Sequence, residues 1–340
     1  MSHVMGCDPH LDTIAVAVTD QVGRPLIETT VPNTAAGWNT ATRLARRHAV
    51  EVVGVEAASG YGQNLARQLT GEGIAVAEIP TRLTAVYRKT EGAGKTDPGD
   101  ARAVCRAVAA GDGHVWVDAP DREALRVVVA RRRSLVNAQT RDVNQLRALL
   151  AEVDPKRAAA TRRLRSVAAF TKLARVRYSA STHRDTVAGL IRDLARDCLR
   201  RHHQITQLTR QMRTLLPPQA RQLIAAITGL GEITAAVLFA ELAGTAGFAT
   251  DAKFAKWAGA SPIPVSSGRT DKFRLNRGGN RQVNAVLHTI IITQIRCGGD
   301  AAAYITRRQQ QGKTEREAIR AAKRYVARRI HRLLTNPQLT

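Results

Sequence analysis

The chain has 340 residues, of which 52 are Lys or Arg and 28 are Asp or Glu, so its formal net charge at pH 7 is +24. This length allows two or three domains with hydrophobic cores of their own. The sequence contains no apolar run of transmembrane length, and its four cysteines lack the paired spacing of a zinc site or a disulfide framework. We therefore expect a soluble, cytoplasmic protein with no membrane partner.

The positive charge is confined to one part of the chain. Residues 1–117 hold 11 basic and 12 acidic side chains, whereas residues 118–340 hold 41 and 16, a net charge of +25. Codon bias can favour Arg over Lys, but it does not explain this asymmetry. A folded region with so much like charge repels itself unless a polyanion is bound, so the pattern predicts nucleic acid as the partner.

The first hundred residues predict an α/β domain. Its strands are expected within 3–31, at 50–55 and at 74–79, and its helices at 36–48, 60–72 and 97–110, with Thr96 or Asp97 as the N-cap of the last helix. The order β-β-β-α-β-α-β-α resembles a ribonuclease-H-like sheet. That fold gathers carboxylates at strand ends and on one flanking helix.

Four acids stand at such positions in this domain: Asp8, Glu56, Asp97 and Asp100. Asp8 and Glu56 follow apolar strand residues, and Asp97 and Asp100 lie three residues apart, on one face of a helix. Alone, each has an ordinary explanation, as a turn former or as acid bias at a helix N-terminus. Together they predict a site for Mg²⁺, with Mn²⁺ as the alternative, because hard cations bind oxygen ligands and support phosphodiester chemistry.

The middle of the chain predicts two long helices, at 121–152 and 185–215, separated by a basic stretch at 156–184. The first helix carries Arg131, Arg132 and Arg133, candidate contacts to nucleic acid. The stretch 156–184 is expected to be a mobile arm that orders on nucleic acid. The long helices form either a coiled coil, within or between chains, or a simple packed pair within one chain.

The last third predicts helices at 251–258, 282–295 and 313–334 and a loop at 262–281. Gly229 and Gly231 resemble a helix-hairpin-helix turn, whose backbone N–H groups contact phosphate; an ordinary interhelix turn is the alternative. The loop contains Ser266 and Ser267, followed by candidate nucleic-acid contacts at Arg269, Lys272, Arg274, Arg277 and Arg281. Guanidinium groups stabilise a phosphate in transfer, but composition alone makes either serine an ordinary loop residue.

These motifs together resemble the DEDD transposases of insertion sequences, the IS110 group, which is related to the Piv invertase. The resemblance covers nearly the whole chain. It rests on Gly6-x-Asp8, Gly54-x-Glu56-Ala57, Lys95-Thr96-Asp97-x-x-Asp100-Ala101-Arg102, Gly229-Leu230-Gly231, Phe254-x-x-Trp257-Ala258-Gly259, Ser267-Gly268 and Gly279-Asn280-Arg281.

The resemblance implies three parts: a RuvC-like catalytic domain at 1–117, a helical coiled-coil and basic linker region at 118–216, and a transposase domain at 217–340. It implies a recombinase in which the four acids hold Mg²⁺ and Ser267, or failing that Ser266, is the nucleophile. A structured guide RNA from the element would pair with donor and target DNA. The expected assembly is a homodimer or homotetramer that combines acids of one protomer with the serine of another, in the bacterial cytoplasm and associated with the nucleoid.

Other functions compete with this interpretation. A RuvC-like endonuclease that cuts Holliday junctions with metal-activated water needs the acids but not Ser267. An actin-like ATPase or sugar kinase shares Gly6-x-Asp8, but the chain lacks a convincing second Gly-rich phosphate loop, and the basic second half fits badly. A non-catalytic RNA-binding scaffold needs neither the acids nor a metal.

Overall fold

The computed structural model describes residues 3–90, 96–160, 164, 166–178, 181–243, 247–267, 270–274, 276 and 278–335, with the backbone alone at 90, 160, 264–267 and 270–274. The chain divides into two compact units. The first comprises Met1–Glu123, Gln222–Leu230 and Glu241–Thr340, and the second comprises Ala124–Arg221 and Gly231–Ala240. The boundaries expected at 117 and 216 stay a prediction.

A six-stranded mixed sheet forms within the described residues of the first unit. Its strands are β1 (Val4–Pro9), β2 (Thr13–Thr19), β3 (Pro25–Pro32), β4 (Val52–Glu56), β5 (Ala75–Ile79) and β6 (His114–Val115), in the order β3-β2-β1-β4-β5-β6. β1, β4 and β5 run parallel, and the remaining pairs are antiparallel. This order fits the ribonuclease-H-like fold that the sequence predicted.

Helices cover both faces of this sheet: α1 (Ala35–Arg47), α2 (Gln63–Gly71), α3 (Thr81–Thr90) and α4 (Asp97–Ala109). The central strands β1, β2 and β4 are buried along almost their whole length, which explains why they read as continuous apolar runs rather than as alternating patterns. Helix α3 and the short strand β6 were not predicted. The other elements confirm the predicted ones to within a few residues.

The second unit is helical, with α5 (Pro120–Val153) entering it from the first unit, then α6 (Pro155–Ala160), α7 (Val167–Leu173) and α8 (Thr182–Thr214). A hydrogen bond and two ion pairs connect α5 to α8, and their positions along the two helices show that the helices are antiparallel. Arg132 Nε donates to Thr209 Oγ1 at 2.8 Å, Arg201 pairs with Asp142, and His183 Nε2 lies 2.8 Å from Glu152 Oε1. The two long helices therefore pack together within one chain, and a coiled coil stays a prediction.

The prediction of a mobile arm at 156–184 is wrong for the described residues of that stretch. Leu164, Phe170 and Leu173 are buried with apolar residues of α5 and α8. Ser166 caps α7 by accepting a hydrogen bond from the backbone N–H of Ala169 at 3.2 Å. A few well-placed apolar side chains are enough to fold this basic segment onto the long helices.

The last third contains α9 (Pro218–Ala226), α10 (Glu232–Glu241), α11 (Asp251–Trp257), β7 (Ile263–Ser267), β8 (Thr270–Arg274), α12 (Arg281–Arg296), α13 (Asp300–Gln310) and α14 (Glu315–Thr335). β7 and β8 pair as an antiparallel hairpin, so the prediction of a loop is wrong for residues 263–267 and 270–274. Helix α13 was not predicted. Among the described residues, no helix combines the length and apolarity that crossing a membrane requires.

Candidate active site

Two glycines let helix α4 lie directly on the sheet. A Cβ atom at Gly6 of β1 would come within 2.3 Å of the Ala101 carbonyl oxygen, and one at Gly54 of β4 within 2.5 Å of a Val108 methyl group. Such contacts are too short for any larger residue. The glycines of Gly6-x-Asp8 and Gly54-x-Glu56 therefore bring α4 close to the strands whose ends carry Asp8 and Glu56.

Those two acids lie side by side at one edge of the sheet. Cys7 of β1 and Val55 of β4 are register partners in a parallel pair, so the next residues, Asp8 and Glu56, are neighbours. Both are buried, with 6% and 8% of their surfaces exposed. Burying two carboxylates together is costly unless something neutralises them.

Helix α4 adds the other two acids from its first turn. Thr96 caps the helix by accepting a hydrogen bond from the Gly99 N–H at 3.3 Å, which confirms it as the N-cap. Asp100 is buried, whereas 62% of the Asp97 side chain is exposed. One carboxylate of the pair is thus enclosed, and the other remains accessible from solvent.

The electrostatics of Asp8 show that the four acids converge. Burial, followed by the charge of Glu56, raises the pKa of Asp8 from 3.8 to about 6, with further contributions from Asp100 and Asp97 and an opposing one from His10. Like charges favour the protonated form of a carboxyl group. Each of the three acids is therefore close enough to Asp8 to disfavour its ionised form.

His10 belongs to this cluster, although it is not among the site residues that the sequence predicted. Its Nε2 atom lies 3.4 Å from Asp8 Oδ2 and 3.5 Å from Asp97 Oδ1. The short string Asp8-Pro9-His10 was the available signal, since a residue just beyond a strand carrying a site acid lies near that acid.

Arg88 neutralises part of the negative charge. Its guanidinium group pairs with the carboxylate of Asp100, and both side chains are largely buried. Because α3 was not predicted, neither was this pair. The described part of the site therefore combines the four carboxylates with the guanidinium group of Arg88 and the imidazole of His10.

The donor set fits a divalent metal ion. Ligand atoms of Asp8, His10 and Asp97 all lie within 4.8 Å of one another. The His10 Nε2 atom is buried and forms no hydrogen bond within the described part of the chain. Carboxylate oxygens suit Mg²⁺ and Mn²⁺, and an imidazole nitrogen favours the transition metal of the two.

A second polar group braces the turn that follows Glu56. Ser59 Oγ donates to Glu78 Oε2 at 2.9 Å, and His114 Nε2 lies 3.3 Å from the same oxygen. Ala57, directly after Glu56, has a positive φ of 48°, a backbone conformation that few non-glycine residues adopt. The hydrogen bond to Glu78 holds this strained turn, and with it the end of β4.

The predicted nucleophile lies on the β7–β8 hairpin. Ser266 pairs with Asp271 and Ser267 with Thr270, so Ser267 is the last residue of β7. Lys272 and Arg274 lie on β8, and Arg281 begins α12 with its side chain exposed. Arg269 and Arg277 lie outside the described residues. The predicted roles of all these residues stay predictions.

The other predicted nucleic-acid contacts have structural neighbours of their own. A Cβ atom at Gly229, whose φ is +89°, would meet the Ile290 carbonyl oxygen at 2.8 Å, so packing against α12 requires this glycine. The Gly231 N–H donates to Thr234 Oγ1 at 2.9 Å. Arg131 and Arg133 are exposed, whereas Arg132 is half-buried and holds Thr209. Phosphate binding at these positions stays a prediction.

Comparisons with known proteins agree on one family. Residues 5–155 match the family model of the IS110 transposases with the DEDD signature, and residues 221–306 match that of the IS116/IS110/IS902 transposase family. A probable family 20 transposase of Pseudomonas aeruginosa is 28% identical over 244 residues, which are 71% of this chain and 70% of the relative.

Two solved structures of Thermus thermophilus RuvC, one of them in complex with a Holliday junction substrate, are 14% and 13% identical, with TM-scores of 0.28 and 0.27. They cover 34% and 33% of this chain and 99% of their own chains. The two segments matched by the family models lie in the same order as the catalytic and transposase parts and together span more than half of the 340 residues. The chain therefore belongs to the IS110 family of transposases, enzymes that cut and rejoin DNA.

Proposed function

We propose that this chain cuts and rejoins DNA with a divalent metal held by Asp8, Glu56, Asp97 and Asp100 and with Ser267 as the nucleophile. The observation that carries the proposal is the enclosure of Asp8. Three other carboxylates raise its pKa together with burial, at the edge of a sheet where two acids are buried side by side. Such a cluster needs a cation, and phosphodiester chemistry uses one.

The residues of the site have different proposed roles. Mg²⁺, when bound, would supply the positive charge that stabilises the scissile phosphate in the transition state. Asp8 and Glu56 are fixed by the sheet and Asp100 by Arg88, so these three are held in place before substrate arrives. Asp97 is the accessible acid, and His10 lies against it. We include His10 among the candidate ligands because of this geometry.

In the cutting step, Ser267 Oγ would form a bond to phosphorus as the bond from phosphorus to the DNA 3′-oxygen breaks. The proton of the serine hydroxyl ends on the 3′-oxygen, so charge and atoms balance. The fragment downstream of the cut stays attached to the serine through its 5′-phosphate, and attack on that phosphate by the 3′-hydroxyl of another strand releases the serine and seals the DNA. The basic residues around the hairpin would stabilise charge on the phosphate.

The proposed partners follow from charge and from the family. Residues 118–340 carry a net charge of +25, which suits donor DNA, target DNA and a structured guide RNA encoded by the element. We propose that the active assembly is a dimer or tetramer in which the carboxylates and the serine come from different protomers. Mixing a Glu56→Gln protein with a Ser267→Ala protein tests this point, because shared sites restore activity that neither variant has alone.

The direct test of the carboxylate site compares Glu56→Gln with Glu51→Gln. Glu51 precedes β4 and Glu56 ends it, so the two variants remove one negative charge at opposite ends of a single strand. We expect Mg²⁺-dependent cleavage of element-junction DNA to fall at least about a hundredfold in Glu56→Gln, since each correctly placed group in a site of this kind contributes several kcal/mol to transition-state binding. Equal activity of the two variants would overturn the proposal.

A further inference from the structure

A basic cavity that none of the four site carboxylates lines is present in the C-terminal part of the first unit. Its volume is about 540 Å³, and its walls come from the segment Gly259–Pro262, from Asn276 and from helices α12, α13 and α14. The cations that line it are Arg308, Lys313, Arg320, Lys323, Arg324 and Arg328. Glu317 is the one acid among the described lining residues. This balance predicts an anionic occupant.

The positive charge of this cavity is only partly neutralised. The pair between Arg328 Nε and Asp251 Oδ2, at 2.7 Å, is the one ion pair that the described part of the chain gives these six cations. Glu317 accepts hydrogen bonds from the backbone N–H and the hydroxyl of Thr314, at 2.9 and 2.8 Å. The Nε atom of Arg308 is buried with no hydrogen-bond partner in the same described part. A bound anion would give the cations of the cavity that have no ion pair among the described residues a partner of opposite charge.

Crowding of the cations is visible at Lys323. Burial, and next the charge of Arg320, lowers the pKa of Lys323. Its Nζ atom donates to Asn284 Oδ1 at 2.9 Å, and the Asn284 amide in turn donates to the Ala258 and Gly259 carbonyl oxygens at 3.0 and 3.1 Å. The ammonium group is therefore held in place on the cavity wall by a fixed side chain.

Two aromatic rings give the cavity a second kind of surface. Tyr304 and Tyr325 meet edge to face, with ring centroids 5.1 Å apart. Arg307 lies over the Tyr304 ring at 5.5 Å, whereas 58% of the Tyr325 surface is exposed. A nucleobase stacks on such a ring without regard to its sequence. Cations beside an open aromatic face suit a ligand that combines phosphate with a base.

We propose that this cavity holds one unpaired nucleotide of a single-stranded nucleic acid, with its phosphates against the cations and its base against Tyr325. The volume suits one nucleotide, and a base enclosed in a duplex cannot enter it. RNA loops and single-stranded DNA share this chemistry. The inference rests on the proposed function only in taking nucleic acid as the partner.

The location gives this nucleotide a role near the proposed chemistry. Pro262 directly precedes β7, and Asn276 follows β8 after a single intervening residue. Asn276 Nδ2 donates to the Lys256 carbonyl oxygen at 3.0 Å, which anchors one base of the hairpin to α11. A strand seated in the cavity would therefore run past the base of the hairpin that carries Ser267.

The test measures binding, not cleavage. Full-length protein would be titrated, without Mg²⁺, into fluorescent eight-nucleotide oligouridine, oligothymidine and a DNA duplex of equal length, and anisotropy followed. Tyr325→Ala should weaken single-strand binding at least about fivefold, the lower end of one stacked base, while Tyr325→Phe, which keeps the ring, stays near wild type. Duplex binding should not change. Tighter binding of RNA or of DNA identifies the source of the nucleotide.

Salt dependence tests the phosphate contacts. Arg324→Gln should lower the slope of log affinity against log salt by about 0.7 for single strands, the value for one phosphate contact. The matched control is Arg316→Gln, which removes the same charge from an exposed position of α14 outside the cavity. We expect this control to bind within about twofold of wild type, since a solvent-exposed charge that does not line the cavity is screened by salt.

Two results would overturn the inference. One is an equal loss of single-strand affinity in Arg316→Gln and Arg324→Gln. The other is an equal decrease, caused by Tyr325→Ala, in the affinity for single strands and for duplex. Either would mean that the region attracts nucleic acid only by its general charge. Failure here is distinguishable from failure of the proposed function, because cleavage depends on Glu56 and Ser267. A wild-type protein that cleaves DNA, with cavity variants that bind normally, would remove this inference alone.

Discussion

His10 Nε2 lies 3.5 Å from Asp97 Oδ1, so the loop after β1 meets the first turn of α4 at the centre of the carboxylate cluster. Imidazole binds transition metals more readily than it binds Mg²⁺. We expect His10→Ala to weaken Mn²⁺ binding about tenfold or more, and Mg²⁺ binding less, measured by calorimetric titration of each ion. His203→Ala, at an exposed position of α8, is the control. Equal losses for both ions would argue against His10 as a ligand.

Asp8→Asn should stabilise the metal-free protein while abolishing cleavage. The folded-state pKa of Asp8, about 6, exceeds its ordinary value of 3.8, so the folded state binds the proton more tightly. The stability that this group contributes is complete below pH 4 and is lost as the pH rises through 6. At pH 7 the amide should therefore raise stability by on the order of 2–3 kcal/mol, read as a higher Tm in chelator.

The same variant separates a metal site from a merely strained acid cluster. Adding Mg²⁺ should raise the Tm of the wild type, because a ligand that binds only the folded state stabilises it. The increase should be lost or much smaller in Asp8→Asn. A variant that responds to Mg²⁺ as strongly as the wild type would contradict the assignment of Asp8 as a ligand.

Arg88→Gln tests the cation that lies beside Asp100. Removing the guanidinium leaves a buried carboxylate without its partner, which should cost the metal-free protein about 1–3 kcal/mol. The site also becomes more negative, so Mg²⁺ should bind more tightly and shift the Tm further than in the wild type. An unchanged metal-induced shift would mean that Arg88 supports the fold but does not influence the site.

Gly6→Ala should displace α4. The added methyl group would lie 2.3 Å from the Ala101 carbonyl oxygen, and overpacking of this kind costs about 1–3 kcal/mol. Gly71→Ala is the control, since a Cβ atom at this last residue of α2 would meet no atom of the described residues within 4 Å. Thermal unfolding of both variants, with metal titrations, should show loss of stability and of metal affinity in the first variant alone.

The sequence predicted those elements whose burial produces a simple pattern of apolar residues. β1, β2 and β4 are covered on both faces and so appear as apolar runs, and the acids at the ends of β1 and β4 could be placed at one edge from the sequence alone. Thr96 could be recognised as a cap because its hydroxyl precedes a helix with Pro98 in its first turn.

The features of the fold and of the site that the sequence did not predict depend on contacts between segments that are distant along the chain. Arg88 joins the site only through the packing of α3 against α4, which no local spacing reports. The strands of the Ser267 hairpin contain Pro, Ser and charged residues without alternation, so they resembled a loop. Phe170 is buried within a basic stretch, because a few apolar contacts with α5 and α8 outweigh the polar character of its neighbours.

The most direct test of the account is a search for a covalent protein–DNA species. Protein with its copurifying RNA, Mg²⁺ and labelled element-junction DNA would be run on a denaturing gel, with Ser267→Ala, Ser266→Ala and Asp97→Ala alongside. We expect a slow, protease-sensitive DNA band that is lost in Ser267→Ala and Asp97→Ala and kept in Ser266→Ala. Free cleaved DNA that persists in Ser267→Ala would contradict this expectation and favour a nuclease that uses metal-activated water.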